Sequence, residues 1–346
     1  MKNDFTRIEK IMAGQSADIV PLYEHLFNGE MLEAVMGYKL EGDQREVLKK
    51  RVQFYQQMGY DYMPYETGPR FARLDGLVTK DTAEMAQGGD RGWVDEHNGA
   101  IKDWADLENP DFWPEDIYDY NSFDIITELL PEGMKIIGGC SGGPYEHATF
   151  SMGFVPMCMK MQDDPAFVEA YFNKIGETLV AIATRVAKLP VIGVYRYGDD
   201  MGYKGATMIS PEDLRKYVFP WAKKIVAEAH AAGKKFLLHS CGNLEEVMDD
   251  LIDDVGIDAK HSWEDVIMPV TEAKARWGKR IAIFGGVDVD FLCRNTPEQV
   301  KEYSKRILDV CGNGGYAFGS GNSITNYVPV KNYLAMVEAW REWNGI

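Results

Sequence analysis

His239 and Cys241 stand two residues apart at the end of the apolar run Lys235-Phe236-Leu237-Leu238. On an extended segment that spacing turns both side chains the same way, so an imidazole nitrogen and a thiolate can share one metal ion. Catalytic zinc needs a third protein ligand and an open position. Carboxylates beside Gly-rich turns are the natural source, and Glu146, Asp199, Asp200 and Asp288 all lie in or next to such turns. Glu146 is taken as the third metal donor. His239, Asp199, Asp200 and Glu146 are taken as catalytic groups, since a carboxylate here can orient the imidazole or exchange a proton with substrate. Tyr197, His261, Trp263, Asp288, Ser320 and Asn322 occupy neighbouring turns and are expected to contact substrate.

These residues need elements that bring them together. From about residue 130 the sequence repeats one grammar: a short β-branched run, a polar or Gly-rich cluster, then an amphipathic helix, which is the βα unit. The runs begin near residues 135, 193, 235, 257, 280 and 315, with an earlier one at 60–65. Asp164-Pro165, Ser210-Pro211 and Thr296-Pro297 each set a capping oxygen before a proline at the first helical position, and Thr296 with Gln299 fits a capping box. Seven runs are counted, and eight close the usual barrel. The eighth is sought within residues 70–79. The fold expected is a TIM-type (β/α)8 barrel in a single domain over 1–346. It has a helical N-terminal extension over 1–59 and a long loop excursion over 66–120, a length usual for lids or substrate walls. In such a barrel the strand ends and following loops build the active site.

Bulk properties narrow the partners. The formal charge of −17 and the lack of a Lys/Arg run argue against nucleic acid and anionic membranes. No stretch approaches the ~18 apolar residues of a membrane span, and the expected location is the cytoplasm. Five scattered cysteines fit reduced thiols better than a disulfide framework.

Three segments carry a family resemblance. They are Gly198-Asp199-Asp200-Met201-Gly202 followed by Ile209-Ser210-Pro211-Glu212, then Leu238-His239-Ser240-Cys241-Gly242-Asn243, then Gly285-Gly286-Val287-Asp288. In order and spacing they resemble the uroporphyrinogen decarboxylase superfamily over about residues 135–343. That resemblance implies a TIM-type barrel and one of two chemistries: metal-free decarboxylation of tetrapyrrole acetate arms, or methyl transfer with a cobalamin protein, often with zinc. The decarboxylases carry an arginine-rich N-terminal segment, whereas the first sixty residues here hold only Arg7, Arg45 and Arg51. The His-x-Cys pair resembles the methyltransferase branch, in which a second cysteine near the last strand completes the zinc site. Ser320 stands at that position.

An oxygen donor in place of the thiolate would make a harder Lewis acid, suited to an oxygen-bearing substrate. The resemblance therefore implies a corrinoid-dependent methyltransferase acting on a small methylated substrate such as a methoxylated aromatic. Zinc would be its metal, cobalamin would arrive on a separate corrinoid-binding protein, and a homodimer is carried as an assembly state. The alternatives are a lyase acting on a carboxylated tetrapyrrole or other carboxylate, and a non-catalytic corrinoid or tetrapyrrole carrier.

Overall fold

A computed structural model of the chain describes residues 2–86, 89–114 and 117–346. Its strands, in chain order, are β1 (Tyr62–Thr67), β2 (Leu77–Lys80), β3 (Asp90–Trp93), β4 (Lys135–Cys140), β5 (Ile192–Gly198), β6 (Lys235–His239), β7 (Ala259–His261), β8 (Ala282–Phe284) and β9 (Tyr316–Ala317). Seven of them form one parallel sheet in the order β1-β4-β5-β6-β7-β8-β9, with helices in the connections. This is a TIM-type α/β barrel, entered through the helices Thr6–Met12, Gly29–Met36 and Gln44–Met58.

The eighth staves position lies elsewhere than in residues 70–79. Those residues run into β2, which pairs only with β3 in an exposed antiparallel hairpin. The barrel instead closes through residues 21–27 of the N-terminal extension. Leu22 and Phe27 make parallel bridges to Phe318 and Ile324, and the Tyr62 hydroxyl of β1 donates to the Glu24 carbonyl on the other side. Gly319 permits this closure, because a Cβ there would sit 1.6 Å from the Tyr23 carbonyl oxygen.

The helix starts follow their sequence signals. Asp164 accepts from Phe167 N–H, Ser210 from Asp213 N–H, and Thr296 with Gln299 closes a capping box. The helix after Ser210 carries a π turn over Leu214–Val218 just before Pro220. Proline has no N–H to donate, and its ring would press on the Lys216 carbonyl in a regular helix; the wider turn relieves both.

Alternation along β5 and β6 decides which side chains see the barrel interior. Gly198 pairs with His239 and Arg196 with Leu237, so these four share one face, while Tyr197 pairs with Leu238 on the other. Inside, Arg196 is fully buried and holds Glu66 at 2.6 Å, with the Tyr23 hydroxyl and the His25 carbonyl accepting from Nη1. Of the excursion over 66–120, residues 87, 88, 115 and 116 lie outside the described residues. The described part contributes the hairpin, the short helix Trp104–Glu108 and a wall segment around Val94 and Glu96. Among the described residues no helix is long and apolar enough to cross a membrane.

Candidate active site

β6 ends on His239 and β7 on His261, and their parallel register sets the two imidazoles side by side. The Nδ1 atoms are 2.8 Å apart, and His261 Nε2 lies 3.0 Å from the Ser320 carbonyl oxygen. A carbonyl can only accept, so His261 carries its proton on Nε2. Burial keeps both rings neutral, holding His261 at about 3 and His239 well below its ordinary value, the latter helped by His261 itself. Neutral His261 therefore offers a bare Nδ1, which accepts from His239 Nδ1–H. His239 is left with an unprotonated Nε2, the tautomer a metal ligand needs.

Two donors face that nitrogen. Cys241 Sγ is 3.5 Å away and Asp200 Oδ1 3.7 Å away. In a tetrahedral zinc site with ordinary Zn–N, Zn–S and Zn–O bonds, the ligand–ligand edges are roughly 3.4–3.6 Å. The two edges at His239 match those lengths, and all three donor atoms lie within 4.8 Å of one another, so the donor set suits a zinc ion with one position open. Asp200 also accepts from the Cys241 N–H at 2.8 Å, which ties the two ligands' loops together, and Asn322 Nδ2 donates to Cys241 Sγ at 3.3 Å. Burial, then the Asp200 carboxylate, pushes the Cys241 thiol up, so a bound cation is what would favour the thiolate.

His25, His239 and His261 form a second cluster of metal-capable atoms. Its geometry does not suit a metal. The His25 ring stacks on His239 at 3.6 Å with 5° between planes, and imidazole lone pairs lie in the ring plane, so stacked rings cannot both aim at one ion.

The remaining candidates divide by direction. Glu146 belongs to neither cluster of metal donors among the described residues, and Asp200 takes the oxygen-donor place expected of it. Its carboxylate borders the space over Gly198 beside His239, where burial and then Asp200 and Asp199 push it well above the usual carboxyl range. Asp199 is buried at the start of the helix Pro144–Met152, accepting from Glu146 N–H at 2.8 Å and Tyr145 N–H at 3.3 Å. A Cβ at Gly143 would strike it at 2.5 Å, so glycine makes room for this seat. Burial raises Asp199 to about 8 against the pull of those two donors.

Other expected substrate contacts have different surroundings. Tyr197 points into the helix layer against Phe236, away from the mouth, because its register position is one off from Arg196 and Gly198. Trp263 is 6% exposed, packed on Trp277 and over the Lys260 ammonium. Asp288 caps the helix Val289–Arg294, with its two oxygens accepting from Phe291 and Asp265 N–H. Ser320 is fully buried, its hydroxyl bonded to Glu24 and to the Asn322 carbonyl, so it serves the wall behind His261. His261 acts on His239 and is itself covered. Of this group, His261 touches the metal-capable trio at His239 and Asn322 touches it at Cys241.

Glu24, His25, Glu66 and Arg196 were not singled out by their residue types. A signal for the first two exists: Ile19-Val20-Pro21-Leu22-Tyr23 followed by Glu24-His25 repeats the apolar-run-then-polar grammar of the later strands. Buried Glu24 is raised by desolvation from 4.5 to about 8. Because it binds its proton more tightly folded than unfolded, its stabilising contribution is complete below about pH 4.5 and is lost as pH rises through about 8. Glu24→Gln is expected to flatten the fall in unfolding free energy between pH 5 and 9, measured by urea titration at each pH. An unchanged slope would show that Glu24 is not the group responsible. A further expectation concerns the relay: His261→Leu should weaken zinc binding about 10–100-fold in a chelator competition, since the acceptor that fixes the His239 tautomer is gone. Equal affinity would refute the tautomer argument.

The comparisons with known proteins fit this architecture. The chain is 26% identical to uroporphyrinogen decarboxylase from Actinobacillus succinogenes over 257 residues, 70% of each chain. It is 25% identical over 261 residues to the same enzyme from Pseudoalteromonas atlantica, again covering 70% of both. The solved structure of a methyltransferase from Methanosarcina mazei superposes with a TM-score of 0.71 over 98% of both chains at 19% identity, a likeness of fold. The uroporphyrinogen decarboxylase (URO-D) family profile matches residues 85–343, which spans β4 to β9 and every strand-end residue of the His239 site, and the chain therefore belongs to that family.

Proposed function

We propose that this chain is a methyltransferase that moves a methyl group from a methoxylated aromatic to the cobalt of a separate corrinoid-binding protein. The observation that carries the reading is the His239–Cys241–Asp200 trio, spaced as a three-ligand zinc site at the strand ends. Zinc held there would supply Lewis acidity toward the departing ether oxygen. The chain's own groups do the rest. His261 and Ser320 hold the His239 tautomer, Asn322 steadies Cys241, and Glu146, its carboxyl pushed well above the usual range by burial and then by Asp200 and Asp199, is the candidate to give a proton to the phenolate. As the methyl–oxygen bond broke and the methyl group passed to the partner's reduced corrinoid, which would supply the electron pair, Glu146 would hand its proton to the phenolate oxygen.

The test mixes the protein with a reduced corrinoid protein and a panel of methyl donors. Methoxylated aromatics should convert cob(I)alamin to methylcobalamin, seen as an absorbance change, with methylamines and simple thiols poor donors. A second reading, decarboxylation of a carboxylated tetrapyrrole, draws on the names of the relatives. The site's charge counts against it: Arg196 is already paired with Glu66, Arg7 with Asp18 and Asp61, and Arg45 with Glu128, while Glu146, Asp199 and Asp200 crowd the mouth. Carbon dioxide release from such a substrate, without methylcobalamin from any donor, would establish the lyase instead.

A further inference from the structure

Beside the metal-capable trio is a cleft of about 350 Å³ that shares Asp200 with it. Its apolar side is made by Phe150, Phe154 and Met208, and its polar side by Glu96, Glu146 and Asp200, with no Lys or Arg among its lining residues. At its wall Tyr145, 3% exposed, has a buried hydroxyl that lacks a hydrogen-bond partner among the described residues. The volume matches one substituted ring, and half-buried aromatic walls bury a flat π-surface well.

From this cleft we infer a charge rule for the substrate: the ring bound next to the trio is a neutral phenol ether, and a ring bearing a carboxylate is rejected. The inference rests on the methyltransferase reading for its ether oxygen, and on the cleft alone for its charge. With the ether oxygen turned to the trio, a ring carboxylate would lie toward the Glu96 side of the cleft, where it would lose water and meet an acidic side chain with no Lys or Arg among the lining residues to pair it. A neutral hydroxyl on the ring brings no charge to pair and can donate to the Glu96 carboxyl oxygens. The same aromatic and acidic lining is compatible in principle with a methylated ammonium, but such a donor leaves as a neutral amine and has no use for a Lewis acid. The trio thus decides for oxygen.

The test separates binding from turnover. Zinc-loaded protein is titrated with 2-methoxyphenol, with 4-hydroxy-3-methoxybenzoate and with a trimethylanilinium salt, following tryptophan fluorescence and calorimetry. The neutral ring should bind at least tenfold more tightly than the benzoate. Glu96→Gln, which removes an acidic side chain from the cleft wall, should narrow that gap two- to threefold. A benzoate that binds as tightly as the phenol, or an anilinium that binds more tightly than both, would overturn the charge rule. Methyl transfer from the benzoate in preference to the phenol would overturn it too while leaving the methyltransferase reading intact. Selective binding of the neutral ring with no methyl transfer would uphold the cleft and sink the reaction.

Discussion

His239→Ala is expected to strip zinc from the protein and to slow methyl transfer by about 10²–10³-fold, the usual loss when one charge-stabilising group is removed from a preorganised site. His239 supplies Nε2 to the trio, and no other imidazole near it points its lone pair at Cys241 and Asp200. The fold should persist, since the cost is that of a small cavity and an unpaired His261 Nδ1, about 1–3 kcal/mol. Cys241→Ala should match it in metal loss. The third donor can be separated by comparing Asp200→Asn with Glu146→Gln: the first should lower zinc content, and the second should retain zinc while slowing turnover. Metal analysis of the purified variants beside stopped-flow absorbance reads both effects. Full zinc in His239→Ala, or none in the unaltered protein, would dismantle the site.

Arg196→Met is expected to be the most damaging single change to stability, by about 3–5 kcal/mol, because it leaves one member of a buried ion pair without its partner. Arg196 is 0% exposed and Glu66 9%, and the guanidinium also donates to the Tyr23 hydroxyl and the His25 carbonyl. Adding Glu66→Gln should recover part of the loss, because the orphaned charge is then gone. Urea unfolding at constant pH measures both; a single variant within about 0.5 kcal/mol of the parent, the range of ordinary surface changes, would mean the pair contributes nothing.

The sequence carried the barrel's later strands clearly because each repeats the same punctuation: β-branched run, turn cluster, capped helix. Six of them recur at or within a few residues of their expected places, from Lys135 to Ala317. The first stave was hidden for a physical reason. Residues 21–27 make only isolated bridges, so no long alternating run marks them, and helices on both sides drew the whole segment into one helical reading. Within the site, His239 and Cys241 were readable from period-two geometry alone. Asp200 and Glu146 were readable as candidates, but which one meets His239 depends on loop placement that residue type does not encode. Tyr197 failed by a single register position. The buried relay through His261, Ser320 and Glu24 was invisible, because it joins residues almost three hundred positions apart.

That separation has a consequence for how the molecule comes into being. Glu24 emerges from the ribosome early, yet its partner Ser320 follows 296 residues later, and at about 5–20 residues per second the first stave waits tens of seconds for its neighbour. Until then the nascent barrel has an open seam, with Tyr23 and Leu22 lacking the Phe318 and Gly319 backbone that will cover them. The Ser320 carbonyl that fixes the His261 proton is likewise missing, so His239 and Cys241 exist on the growing chain before anything sets the His239 tautomer. On the proposed zinc reading, metal acquisition would be a closing event of biosynthesis, and chains ending before residue 318 should be both unsealed and poor in zinc.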